Sequence, residues 1–207
     1  MIDSETMNFL DGYNWDNTST TAAVNNDPPV QLKFTKVRNV KSPNKAYSAA
    51  AAGIDFYVPY FDYDFINAIK EANQYVETEY WNEVGKDEDG KYFTIAPHSR
   101  IAIPSGIKVH FEVPGTVLIA FNKSGMATKY GLTVGACVID GDYLGEVHLS
   151  LINTSDEDVR IHEGQKVSQF IYMPIIYPGT MKEISNEEYS KYHTDRGEGK
   201  FASSGEK

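Results

Sequence analysis

The chain has 207 residues, 41% of them hydrophobic, and 19 Lys and Arg against 29 Asp and Glu leave a formal charge of −10. That apolar share excludes wholesale disorder, and the acidic balance disfavours binding to nucleic acid or anionic membrane while allowing a local basic pocket. A single cysteine, Cys137, excludes a disulfide framework and a thiolate zinc site, and no apolar run approaches the roughly 18 residues of a membrane span.

Residues 1–29 are rich in Asn, Asp and Thr and end in Pro28-Pro29, with no periodic apolar face. They read as an N-terminal extension. Met1 to Asp11 lacks the basic and then apolar texture of a secretory leader, so the expected location is cytoplasmic. From Val30 to Val40 polar and β-favouring residues alternate, as in a half-buried strand. Ser48 to Val58 is small and apolar, then β-prone, with Gly53 and Asp55 at the break.

Between Asp64 and Val84 the period changes. Phe65, Ile69, Ala72, Val76 and Tyr80 share one face of a helix, with Asp64 as its expected N-cap and Gly85 just past its end. Lys86 to Gly90 is a polar turn. After Tyr92 the texture is short strands at close spacing: Tyr92–Ile95, Arg100–Ile103, Gly106–Val113, Val117–Asn122, Gly135–Ile139, Gly145–Asn153, Asp158–Ile161 and Lys166–Ile176. Pro97, Pro104, Pro114-Gly115, Asp140-Gly141 and Glu163-Gly164 punctuate them. Many short strands separated by turns predict an all-β sandwich, jelly roll or small barrel carrying one inserted helix.

Three segments carry chemistry. Val138 to Val147 holds Asp140-Gly141 between β-prone flanks, a hairpin signal. It reads either as a surface hairpin with acidic tips or as a carboxylate, Asp140, placed to deprotonate water beside an aromatic ring, Tyr143. Asn122-Lys123-Ser124-Gly125-Met126 follows a strand and reads as an ordinary polar turn or as a phosphate-binding one. Arg196 to Gly205 combines glycines, hydroxyls and two cations with Phe201; a frayed tail and a polyphosphate wrap both suit it, but not a P-loop, whose spacing fails. The five histidines show no metal-ligand spacing, and Cys137 reads as a small apolar residue.

Taken in order, these segments resemble the motifs of the homotrimeric dUTP pyrophosphatases (dUTPases). Ala51-Ala52-Gly53-Ile54-Asp55-Phe56-Tyr57 looks like the first, and Lys123-Ser124-Gly125 with Lys129-Tyr130-Gly131 is similar to the second. Val134 to Glu146 closely resembles the third, Gly164-Gln165-Lys166-Val167-Ser168-Gln169 the fourth, and Thr194 to Gly205 the fifth. The resemblance implies a jelly-roll-like β-barrel over 30–193, interrupted by a helical insertion at about 61–91, with residues 194–207 as a tail that closes over the active site.

It also implies a trimer with active sites between subunits, each hydrolysing dUTP to dUMP and pyrophosphate with Mg²⁺. Carried over by position, Asp140 activates the attacking water and Tyr143 packs on the deoxyribose. Main-chain groups of Cys137, Val138 and Ile139 read the uracil edge. Lys123, Ser124 and Gly125 hold phosphate, while Asp55 and Gln169 organise waters around the metal. Arg196, Ala202, Ser203 and Ser204 close over the nucleotide, and Phe201 stacks on uracil.

Three features depart from that pattern. Lys123 and Lys166 stand where Arg is common, keeping the charge but losing the bidentate fork. Cys137 stands where Gly is frequent, which crowds the base pocket and leaves a modified deoxyuridine triphosphate as an alternative substrate. The 1–29 extension and the insertion, the latter expected to pack on the barrel or on a protein partner, have no counterpart. The rival readings are a dCTP deaminase-like enzyme of the same fold, disfavoured because Ser150 stands where a catalytic Glu is expected, and a non-catalytic regulatory module.

Overall fold

The computed structural model describes residues 32–45, 50–76, 83–176 and 182–194. Along them run β1 (Leu32–Lys36), β2 (Asn44–Lys45), β3 (Ile54–Tyr57), α1 (Tyr63–Ala72), β4 (Gly85–Asp87), β5 (Gly90–Ile95), β6 (Arg100–Phe111) and β7 (Thr116–Asn122). Then come α2 (Ser124–Tyr130), β8 (Leu132–Val134), β9 (Val138–Ile139), β10 (Glu146–Asn153), β11 (Val159–His162), β12 (Lys166–Pro174) and α3 (Asn186–Tyr189).

The strands form three sheets with orders β1-β6-β10-β8, β11-β5-β4 and β2-β3-β12-β7-β9. All pairings are antiparallel. Alternation makes this possible: along β10 from Glu146 to Asn153 every second residue is buried, so one face enters the core. Phe56, Phe65, Phe93, Ile103, Leu118, Leu149, Ile161 and Phe170 belong to one apolar cluster fed by all three sheets and α1. The result is the all-β, jelly-roll-like barrel with few helices.

Three local predictions from the sequence need correction. The helix predicted over 64–84 is α1, and it stops at Ala72. Its N-cap is Asp62, not Asp64: the Asp62 carboxylate accepts from the Phe65 N–H at 2.9 Å. Asn73 ends the helix because its buried amide is spent elsewhere. Nδ2 donates to the carbonyls of Ile69 and Ala102 at 2.7 and 2.8 Å, and Oδ1 accepts from the Ala102 N–H at 2.8 Å. Those bonds tie the helix end to β6, an effect no periodicity can register. Gly85 caps nothing; it opens β4, which pairs with β5 across a turn at Glu88-Asp89.

Pro104 does not split a strand. β6 runs through it as one element, and Pro104 lies opposite His148, where the pairing of β6 with β10 shifts register between Glu146 and His148. At such an irregularity a missing N–H interrupts no regular ladder, and Gly106 close by takes φ +73°. Finally, the polar turn after Asn122 is the start of α2, ended by Gly131 in the left-handed region at φ +65°.

Candidate functional site

Two groups of the expected residues form, at different ends of the five-stranded sheet. The first is built on a buried carboxylate. Asp55 on β3 is 1% exposed, and its two oxygens face two cations. Lys123 Nζ is 2.8 Å from Oδ1 and donates a hydrogen bond to it; Lys166 Nζ is 2.9 Å from Oδ2. The three come from distant points of the chain because β12 pairs with both β3 and β7: Gln169 lies opposite Asp55 on one side and Phe121 on the other. Lys166 opens β12, and Lys123 follows the end of β7.

The Asp55 hydrogen bond holds the Lys166 ammonium above its ordinary pKa, against the opposing effect of burial. Both ammonium groups stay partly exposed, so one buried negative charge presents two positive ones toward solvent. Ser124 and Gly125, at the start of α2, are exposed beside them, and a Cβ at Gly125 would meet nothing within 4 Å. This end of the sheet is suited to an anion with several oxygens.

Gln169 completes the group. Its Nε2 donates to the Asn122 carbonyl at 3.0 Å, and its Oε1 lies 2.4 Å from where a Cβ on residue 53 would fall, so Gly53 lets the amide lie close to β3. With both Asp55 oxygens on ammonium groups, the carboxylate does not fit direct ligation of a cation and meets one only through water.

The second group is the loop between β9 and β10. The Tyr143 N–H donates to the Asp140 carbonyl at 3.1 Å, closing a turn on which the Asp140 side chain is exposed. The Tyr143 hydroxyl donates to the Glu146 carbonyl at 3.0 Å. Its ring covers Gly145, where a Cβ would fall inside the ring's contact distance, so the glycine is required for the ring to lie down.

β9 is an edge strand of its sheet, with Val138 and Ile139 paired to Ile119 and Leu118. The Cys137 carbonyl is committed to that pairing, accepting from the Ala120 N–H at 2.7 Å, while its side chain packs against the core. Main-chain direction alternates along such a strand, so of the three residues expected to read a base edge Val138, between Cys137 and Ile139, turns its main-chain groups outward.

The base of this loop is set by Glu146, the last residue of the third motif, and by Arg38, which the sequence did not mark. Arg38 grips Glu146 through Nε and Nη2, both at 2.8 Å, and Glu146 also accepts from the Gly106 N–H at 2.7 Å. Their meeting 108 positions apart leaves no local signal. Lys166, by contrast, was visible within the fourth motif but without its role.

One feature bears on the deaminase alternative. Ser150 accepts from the Ala136 N–H at 3.2 Å, and its Oγ lies 2.6 Å from where a Cβ on Gly135 would be. The position is filled by a small hydroxyl that holds the loop before β9 and carries no acid.

The two groups do not meet within one chain. Antiparallel pairing puts Asp140 beside the start of β7, and Ser124 lies beyond its end. At about 3.3 Å per residue they are roughly 20 Å apart. Arg196, Phe201, Ala202, Ser203 and Ser204, together with the 1–29 extension, lie outside the described residues.

Comparison with known proteins gives a consistent picture. The dUTPase family model matches residues 90–205. A deoxyuridine 5'-triphosphate nucleotidohydrolase of Candida albicans is 39% identical over 112 residues, spanning 54% of this chain and 68% of that protein. A staphylococcal bacteriophage 80alpha dUTPase variant, solved with dUpNHpp, aligns at a TM-score of 0.59 and 18% identity, covering 86% of this chain and 99% of the other. A phage phi11 dUTPase variant, described as coordinating a structural Mg(II) ion, aligns at 0.52 and 17%, covering 75% and 98%.

Proposed function

The chain belongs to the dUTPase family, and from that premise we propose the division of labour by which it hydrolyses dUTP to dUMP and pyrophosphate. The observation that carries the reading is the lysine pair held on Asp55 next to Ser124, a polyphosphate site by charge and by donor chemistry. Lys123, Lys166 and Ser124 bind the phosphate oxygens and offset the charge that opposes nucleophilic attack. Gly125 leaves space for that approach.

Asp140 is the base that takes a proton from the attacking water. Tyr143, held flat by its hydroxyl bond, packs on the sugar, and the outward main-chain groups of Val138, flanked by Cys137 and Ile139, pair with uracil. Mg²⁺, when bound, would screen the triphosphate, with Asp55, whose oxygens are held by ammonium groups, and Gln169 meeting it through water. The tail carrying Arg196, Phe201, Ala202, Ser203 and Ser204 closes over the nucleotide.

Because Asp140 and Ser124 are roughly 20 Å apart in one chain, the base of one subunit serves the phosphate site of another, which suits the homotrimer that the family resemblance implies. The test is to incubate the protein with dUTP, dCTP, dTTP and UTP in the presence of Mg²⁺. Pyrophosphate from dUTP alone supports this reading; ammonia from dCTP supports a deaminase, and no product supports a regulatory module.

A further inference from the structure

A second cluster of ionisable side chains lies away from these residues. Asp87 closes β4, Asp89 lies in the turn that follows, and His162 ends β11. One ligand atom from each lies within 4.8 Å of the others. His162 Nε2 is 3.0 and 3.1 Å from the two Asp87 oxygens. The Asp87 carboxylate is itself oriented: the Asp89 N–H donates to Oδ1 at 3.1 Å and Arg160 Nη1 to Oδ2 at 3.2 Å. The imidazole is set against the Tyr92 ring, centroids 5.5 Å apart, with Arg160 on that same ring. The cluster borders an open cleft of about 740 Å³ that Asp158 and Glu163 also line.

We propose that Asp87, Asp89 and His162 form a binding site for a divalent transition-metal ion of the zinc or cobalt class. One imidazole nitrogen with two carboxylates suits such ions, whereas Mg²⁺ and Ca²⁺ prefer oxygen alone. Ligand bonds of about 2.0–2.2 Å place donor atoms roughly 3.4 Å apart around a tetrahedral ion, a few tenths beyond the present His162–Asp87 separation. Arg160 occupies Oδ2 and leaves Oδ1 for the ion. Asp89, exposed at the turn, has only to rotate its side chain. Acidic groups outnumber Arg160 around the cleft, so the local field favours a cation.

Three protein ligands leave a position open to water. The ion would pin the β4–β5 hairpin to β11, replacing the hydrogen now shared between His162 and Asp87. None of its three ligands is a residue assigned to the nucleotide, so the site does not depend on the proposed dUTP chemistry.

The experiment uses the full chain stripped of metal. Titration with Co²⁺ is followed by visible absorption, and Zn²⁺ is followed by calorimetry and by thermal unfolding. The expected result is one nitrogen-ligated Co²⁺ per chain, displaced by Zn²⁺, with a raised Tm. Asp89→Asn, a change on an exposed turn that leaves the fold intact, should weaken binding at least tenfold. His162→Gln should remove the cobalt spectrum, and Asp140→Asn should leave it unchanged. Absence of Co²⁺ and Zn²⁺ binding, or binding that survives both Asp89→Asn and His162→Gln, overturns the proposal.

Discussion

Asp140 and Ser124 flank opposite ends of a single strand: Ile139 pairs with Leu118 near the start of β7, and Ser124 follows Asn122 at its finish. The proposed base and the proposed phosphate site, separated by that length, cannot act on one nucleotide within one chain. Mixing two inactive variants, Asp140→Asn and Lys123→Ala, and letting subunits exchange should therefore restore activity. At equal amounts, random assembly makes roughly a quarter of the sites wild type in both parts. Steady-state dUTP hydrolysis before and after exchange measures it, and no recovery would place the whole site in one subunit.

Asp140→Asn alone should lower kcat by about 10²–10⁴ while leaving dUTP binding close to wild type, because the amide cannot accept the water's proton. Equilibrium binding of a non-hydrolysable dUTP analogue, alongside turnover, separates the two effects. A variant that keeps the wild-type rate removes Asp140 from the mechanism.

Asp55→Ala should raise KM for dUTP and destabilise the fold by about 2–4 kcal/mol, since it leaves two ammonium groups facing each other without their counter-ion. Urea unfolding gives the stability change. Lys123→Ala, which removes one of the two cations, should cost less stability than Asp55→Ala.

The same pair predicts an alkaline dependence. Asp55 raises the folded-state pKa of Lys166, so the stability it contributes is fully present below the ordinary lysine value of about 10.4. That contribution is lost as pH rises through the higher folded value. Unfolding free energies measured from about pH 9 to 11.5 should fall more steeply for wild type than for Lys166→Met.

Asn73→Ala should cost about 2–4 kcal/mol, because it strands the Ala102 N–H and carbonyl and the Ile69 carbonyl at the junction of α1 and β6. Activity per folded molecule should not change. Thermal unfolding monitored by circular dichroism is the measurement.

The strand-rich architecture was legible in the residues themselves, because alternation and turn chemistry act over a few positions: β5, β7, β10 and β11 fall within two residues of where the pattern put them. Asp140, Tyr143 and the segment from Lys123 to Gly125 stood out for a similar reason, each lying in a short motif, although the second proved to be the start of a helix and not a turn. Neither the early stop of α1 nor the unbroken course of β6 through Pro104 could be read that way, since a buried amide on another strand and a register shift decided them.

What the chain's order of residues determined was the list of parts: an all-β fold, an acid in a tight turn, a lysine and a serine after one strand and a lysine opening another. Only the tertiary structure decided which parts are neighbours. Asp55 meets Lys123 and Lys166 across 68 and 111 positions because β12 lies between β3 and β7, and the same sheet carries Asp140 away from Ser124. Pairing between distant strands is a property of the assembled sheet, and electrostatic contacts of a few ångströms follow it rather than the spacing along the chain.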